Sequence, residues 1–170
     1  KHSDAIERFV KIKKPFVIAL NDQKNINENL IDVRVACNTL RLASDLKRFK
    51  KIPQPLVVPL KRLNKQQKKD LEQTKILDYG LEVESGKFMF NKNLAITPNS
   101  LTICYALAIA NSGKSKKIYL SGLDGYPLGD PKRNEMDEVF KLYFSQSSCS
   151  EIVSITPTRY KIKSSSVYAY

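Results

Sequence analysis

The chain predicts an α/β fold: a three-layer, Rossmann-like arrangement with a mainly parallel sheet and helices on both faces. Three observations predict it. Short apolar runs alternate along the chain with stretches of helical periodicity, and parallel strands need such crossover connections. Several of the runs close on asparagine, at Asn21 and Asn38, as strands do before a turn. The stretch Lys116-Lys117-Ile118-Tyr119-Leu120-Ser121-Gly122-Leu123-Asp124-Gly125-Tyr126 leads an apolar strand into a glycine-punctuated turn carrying a carboxylate and a phenol, which is how an α/β sheet delivers polar groups to a ligand.

Taken in order, residues 3–13 read as a helix with Ser3 as its cap and Ile6, Phe9 and Val10 on one face. Residues 16–20 and 31–37 read as strands, and a helix through Leu40, Leu42 and Leu46 follows to about Phe49, stopped by Pro53 and Pro55. Residues 56–60 form the third strand. Asn64 caps a charged helix to about Thr74, and residues 75–81 and 87–90 read as short strands around the Ser85-Gly86 turn. Asn99 or Ser100 caps an apolar helix ending near Gly113. Strand 117–121, a loop holding Pro127, Gly129 and Pro131, helix 132–145 and strand 151–155 complete the alternation. The reading begins on a helix, whereas such folds begin on a strand and a glycine-rich phosphate turn, so the first strand is expected to be lacking.

At 170 residues and 42% hydrophobic content the chain suits one domain, 1–170, with a real core. Cys37, Cys104 and Cys149 are odd in number and without a CxxC pair, which suggests neither a disulfide framework nor a thiolate zinc site; the expected setting is a reducing cytoplasm. No metal site is predicted. The longest nearly apolar run, 103–110, is too short to span a bilayer, so no membrane partner is expected. Net charge is +12, from 29 basic and 17 acidic residues. The lysines cluster at 47–51, 61–69 and 114–117 without interleaved aromatics, which favours a solvated surface or attraction of phosphate over nucleic-acid binding.

The chemistry-bearing candidates are few. Gly122 and Gly125 let a bound group approach the backbone, and Asp124 and Tyr126 offer an acceptor and a donor. Asn21 and Asn38 are read either as turn formers or as ligand contacts. Asp124 is also the weak candidate for proton transfer, Asp130 less so, and a capping role is the plainer reading of either. The only histidine is His2. Gly113-Lys114-Ser115 matches the tail of a P-loop, but no glycine stands five residues earlier. Cys37 and Cys104 read as small core residues.

The segments Phe16-Val17-Ile18-Ala19-Leu20-Asn21, Ile31-Asp32-Val33-Arg34-Val35-Ala36-Cys37-Asn38, Asn99-Ser100-Leu101 and Ile118 through Tyr126 together resemble bacterial sialyltransferases of glycosyltransferase family forty-two, and more loosely domains similar to 6-hydroxymethylpterin pyrophosphokinase. Over nearly the whole chain, with Val35 to Ser44, Ser154-Ile155-Thr156-Pro157-Thr158 and a terminal Ser-x-Tyr-Ala, the sequence resembles the carboxy-terminal domain that follows an HMG-CoA-lyase-like aldolase barrel, of 4-hydroxy-2-oxovalerate type, in bacterial cell-surface carbohydrate loci. The resemblance implies a nucleotide-binding or nucleotide-sugar-binding domain of a carbohydrate-biosynthetic aldolase, with the barrel of the same chain as partner and no cofactor of its own beyond a nucleotide ligand. It places Asn21, Asn38, Asn99, Ser100 and Tyr126 at the nucleotide pocket, and the reading of the turn after residues 117–121 adds Gly122 and Asp124 to the candidate contacts. Two features depart from the sialyltransferase pattern: the phosphate loop before the first helix is absent, and His2 cannot stand where that family's base lies. The alternatives are a transferase, of glycosyltransferase or pyrophosphokinase type, and an oligomerisation scaffold that binds nothing.

Overall fold

A computed structural model describes residues 2–170. Its elements in chain order are α1 (Ser3–Lys13), β1 (Ile18–Leu20), β2 (Val33–Val35), α2 (Thr39–Phe49), β3 (Leu56–Val58), α3 (Lys65–Asp70), β4 (Ile76–Asp78), β5 (Gly80–Val83), β6 (Met89–Phe90), β7 (Leu94–Thr97), α4 (Thr102–Ser112), β8 (Lys117–Leu120), α5 (Pro131–Phe144), β9 (Glu151–Ser154) and β10 (Lys163–Ser164). Short 3-10 turns lie at Glu28–Leu30, Leu60–Arg62 and Val167–Ala169. The fold is α/β with mostly parallel strands, as the alternation of runs predicts.

The strands form three sheets. The first has the order β1-β2-β3-β4 and the second β10-β9-β8, both wholly parallel. The third, β5-β7-β6, pairs β5 with β7 in parallel and β6 with β7 antiparallel. This corrects the reading of residues 75–81 and 87–90 as two strands around the Ser85-Gly86 turn: the first is split into β4, which pairs with β3, and β5, and both β5 and β6 pair with β7, a strand the sequence reading does not contain. Tyr79 turns the chain from β4 into β5. Its hydroxyl donates toward the carbonyls of Asn91 and Leu94, at 2.9 and 3.1 Å, and its own carbonyl accepts from Tyr105. Gly80 follows, and a Cβ there would stand 2.9 Å from Leu94 Cδ1 and 3.1 Å from the Asn93 carbonyl, so any other residue would make the Leu94 side chain move aside and the backbones ease apart slightly.

Side chains alternate along each strand, and the two faces meet different helices. Val33, Val35 and Val57 enter the main core with α4 and α5, where Tyr105, Leu107, Val139, Phe140 and Tyr143 are buried. Ala36, Leu56 and Val58 enter a second core beneath α2 and α3, with Leu42, Phe49 and Leu71. In the second sheet Ile118, Leu120 and Ile152 face the main core, while Tyr119 and Val153 meet Phe9 of α1. Burying Phe9, only 3% exposed, is worth about 1.5–3 kcal/mol and docks the helix.

The caps follow local chemistry, with three corrections. Asn64 makes a full capping box with Gln67, and Asp130 caps α5 with Pro131 at its first position. Ser3 is not the cap of α1, which begins after His2 without a side-chain cap. Neither Asn99 nor Ser100 caps α4: the helix opens after Leu101. Helix α3 stops at Asp70 rather than near Thr74, where Leu71 turns inward to the second core.

Candidate functional site

The carboxyl ends of β1 and β2 and the start of α4 are tied together. Asn21 follows β1 with φ +54°, a left-handed conformation that asparagine tolerates better than most residues. Its backbone N–H donates to the Val35 carbonyl at 2.8 Å, and its side-chain Oδ1 accepts from Thr102 Oγ1 at 3.4 Å. Beneath this turn lies Arg34, fully buried inside β2. Its guanidinium donates to the carbonyls of Gln23 at 2.8 Å and Asn21 at 3.3 Å, and through Nε to Gln54 Oε1 at 3.1 Å. Burial pulls the Arg34 pKa down, and the nearby Glu28 and Asp22 carboxylates oppose that. Sequence reasoning passed over Arg34, although a charge between Val33 and Val35 in an apolar strand is the signal that marks it.

Cys37 lies just beyond β2, its thiol donating to the Ser100 carbonyl at 3.4 Å, 3.9 Å from Thr102 Oγ1. Burial pushes its pKa up to about 11, so it is a core thiol and no nucleophile near neutrality. Asn38 is exposed, and its Oδ1 accepts from the N–H groups of Leu40 and Arg41 at 3.1 and 3.0 Å as the cap of α2. Asn99 Oδ1 is occupied in a similar way, by the Leu101 N–H at 3.2 Å and the Cys104 thiol at 3.2 Å. The Ser100 contribution is its carbonyl to Cys37.

A second group lies past β8. Gly122 has φ +71° and donates its N–H to Thr156 Oγ1 at 2.9 Å. Gly125 has φ +88°, and a Cβ there would meet the Arg159 backbone and side chain. The Asp124 carbonyl accepts from the Arg159 N–H at 2.9 Å, leaving its exposed carboxylate at the edge of the loop. Arg133 ties this loop to α5 by donating to the Tyr126 and Arg159 carbonyls. The Tyr126 ring is 38% exposed, and Lys132 Nζ stands 5.6 Å from its centroid.

The structure thus brings Asn21, Asn38, Asn99 and Ser100 to one neighbourhood, and Gly122, Asp124 and Tyr126 to another. Both lie at carboxyl ends of parallel strands. A surface cavity of about 480 Å³ lies elsewhere, between the start of α1 and the chain's end, lined by Ser3, Asp4, Arg8, Tyr168 and Tyr170 among others. A smaller one of about 190 Å³ beside it is lined by Ile155, Thr156 and Ser164 to Ser166. None of the seven predicted residues lines either cavity. Among the described residues there is no group of three or more His, Cys, Asp or Glu placed to hold a metal ion, and no helix is long and apolar enough to cross a membrane.

No protein-family model matches the chain, and no characterised protein or solved structure matches it significantly.

Proposed function

We propose that the carboxyl edge of the parallel strands binds a nucleotide or nucleotide sugar, and that the domain serves a larger aldolase of cell-surface carbohydrate synthesis. The observation that carries the reading is the contact of Asn21 with Thr102, which fixes a polar, left-handed strand end against the start of α4 on the edge where α/β sheets take ligands. The net charge of +12 supports it, because such a surface concentrates phosphate-bearing solutes. Asn38 and Asn99 spend their side-chain oxygens on backbone N–H groups, so they shape the neighbourhood; Asn21, whose Oδ1 is held by Thr102, offers its side-chain amide N–H groups, and Tyr126 its hydroxyl, as the contacts, with Gly122 giving room for close approach.

The test is thermal denaturation against cytidine, uridine and guanosine mono- and diphosphates and their sugar conjugates. A ligand at a hundred times its Kd adds about 2.7 kcal/mol to stability. One class of nucleotide should raise Tm, and Asn21→Ala should reduce that rise. No rise with any of them at millimolar concentration ends the reading. The exposed Asp124 carboxylate favours a second reading, a transferase in which it accepts a proton from the acceptor hydroxyl. Turnover of a nucleotide sugar that Asp124→Asn abolishes without weakening binding would favour it over the first.

A further inference from the structure

β1 and β8 are each the last strand of a wholly parallel sheet, and their backbones stand farther apart than those of paired strands. The Val33 N–H donates to the Val17 carbonyl and the Asn21 N–H to the Val35 carbonyl, so the backbone groups of Val17, Ala19 and Asn21 face β2. The two-residue period of a strand then turns those of Ile18 and Leu20 the other way. Likewise the Ile155 N–H donates to the Leu120 carbonyl, which turns Ile118 and Leu120 toward β9 and Tyr119 outward. These outward residues are half-buried, a costly place for unpaired backbone, and the Leu20 carbonyl is partnered only locally, accepting from the Gln23 N–H at 3.3 Å as the chain turns.

The two open edges run the same way. Helix α4 starts at the carboxyl ends of β1 and β2, through the Asn21–Thr102 and Cys37–Ser100 contacts, and returns the chain directly to the start of β8. Both flanks of the interval are furnished. On one face Ile18, Leu20, Ile118 and Leu120 join the main core. On the other, α1 bridges the sheets: Phe9 packs on Tyr119 and Val153, while the Glu7 carboxylate accepts from the Asn27 N–H, ahead of β2, at 2.8 Å. Helix α1 also opens beside the carboxyl end of β9, with His2 near Thr156 and Tyr168, and leads into β1. A right-handed crossover that enters β1 through α1 starts from a parallel strand on the β8 side.

We propose that the interval between β1 and β8 is a slot for one further parallel strand, and that its occupant is an extended apolar segment joined to the amino end of α1. Such a strand would merge the two parallel sheets into one. It would be apolar because both its faces are covered, as in other strands buried between helix layers. Its carboxyl end would emerge between Asn21 and Gly122, joining the two halves of the candidate site, but the slot stands or falls without any nucleotide.

Amide hydrogen exchange by NMR tests it. Three samples are compared: the 170-residue chain, the same chain with Val-Ile-Val-Ile-Val and a Gly-Ser-Gly turn added before Lys1, and a Gly-Ser control of equal length. In the unextended chain the Ile18, Leu20 and Tyr119 amides should exchange about 100-fold faster than those of Val35 and Val153, and only the apolar extension should slow them by about that factor. If the extended chain does not fold, judged by its far-ultraviolet dichroism, the free peptide Lys-Val-Ile-Val-Ile-Lys added to the unextended chain serves as the probe, with the same expected protection. Protection already equal to that of Val35 in the dilute unextended chain overturns the slot. Protection that rises with protein concentration assigns it to a second copy instead, and no protection by either probe in a folded chain also overturns it.

Discussion

Arg34 Nη1 lies 2.8 Å from the carbonyl oxygen of Gln23, so a charge buried within β2 holds the turn that ends β1. Removing that charge strands several acceptors at once. Arg34→Met should cost about 3–5 kcal/mol, since it leaves the carbonyls of Asn21 and Gln23 and the Gln54 side chain without their donor. Glu28, 3.7 Å away and nearly half exposed, should matter far less, with Glu28→Gln costing less than about 1 kcal/mol. Urea unfolding of the two variants checks the ratio, and equal costs would mean that the ion pair, rather than the hydrogen bonds to the turn, carries the stability.

A second buried network joins α4, α5 and Ser150, the residue before β9. Asn111 donates to the Leu107 carbonyl and accepts from the Ser150 N–H at 2.7 Å, and it pairs with the Tyr143 hydroxyl, which donates to the Ser150 carbonyl at 2.9 Å. Asn111→Leu should cost about 2–3 kcal/mol, and Tyr143→Phe about 1–2. The two should be non-additive in a double-mutant cycle, because each removes part of the same network.

Thiol chemistry carries a sign. Burial raises the Cys37 pKa from 9.0 to about 11, so the folded state holds the proton more tightly than the unfolded one. Stability from this group is fully present below pH 9 and is lost as pH rises through 11. Burial pushes the Cys104 thiol up as well, with the same sign. Unfolding free energy should therefore fall between pH 9 and 11, and Cys37→Ala should flatten part of that slope. At pH 8 a thiol reagent should modify half-buried Cys149 first, and Cys37 and Cys104 only as fast as the chain opens. Equal reactivity of all three would contradict the burial argument.

Asn38 separates capping from ligand contact. Asn38→Ala should lower stability by about 1 kcal/mol through the loss of its bonds to Leu40 and Arg41, as Asp130→Ala should at α5. Asn38→Ser should restore most of it. If Asn38→Ser recovers stability but not the nucleotide-induced rise in Tm, the side chain touches the ligand as well as the helix.

Much of the architecture was legible in the sequence for local reasons. The runs around Val17, Val33 and Val57 and the caps at Asn64 and Asp130 announce strands and helix starts by residue type and spacing, which act over a few residues. The readings that failed concern partners chosen at a distance. Lys87 to Phe90 looks like half of a hairpin after Ser85-Gly86, yet β5 and β6 both pair with Leu94–Thr97 because Tyr79 and Gly80 bend the chain so that β7 lies between them. Arg34 shows in the sequence only as a charge inside an apolar strand, and its carbonyl partners, eleven and thirteen residues earlier, come into place only with the fold.

The sequence alone determined the order and kind of most of the elements, β7 and β10 excepted, and the mainly parallel character of the sheets, since alternating apolar runs and amphipathic helices leave the chain no short way back. Tertiary structure alone decided which strand edges remain open, where the seven candidate side chains fall into two groups, and which asparagines spend their oxygens on backbone. Those outcomes depend on hydrogen-bond partners and packing surfaces far apart along the chain, whose positions no local pattern encodes.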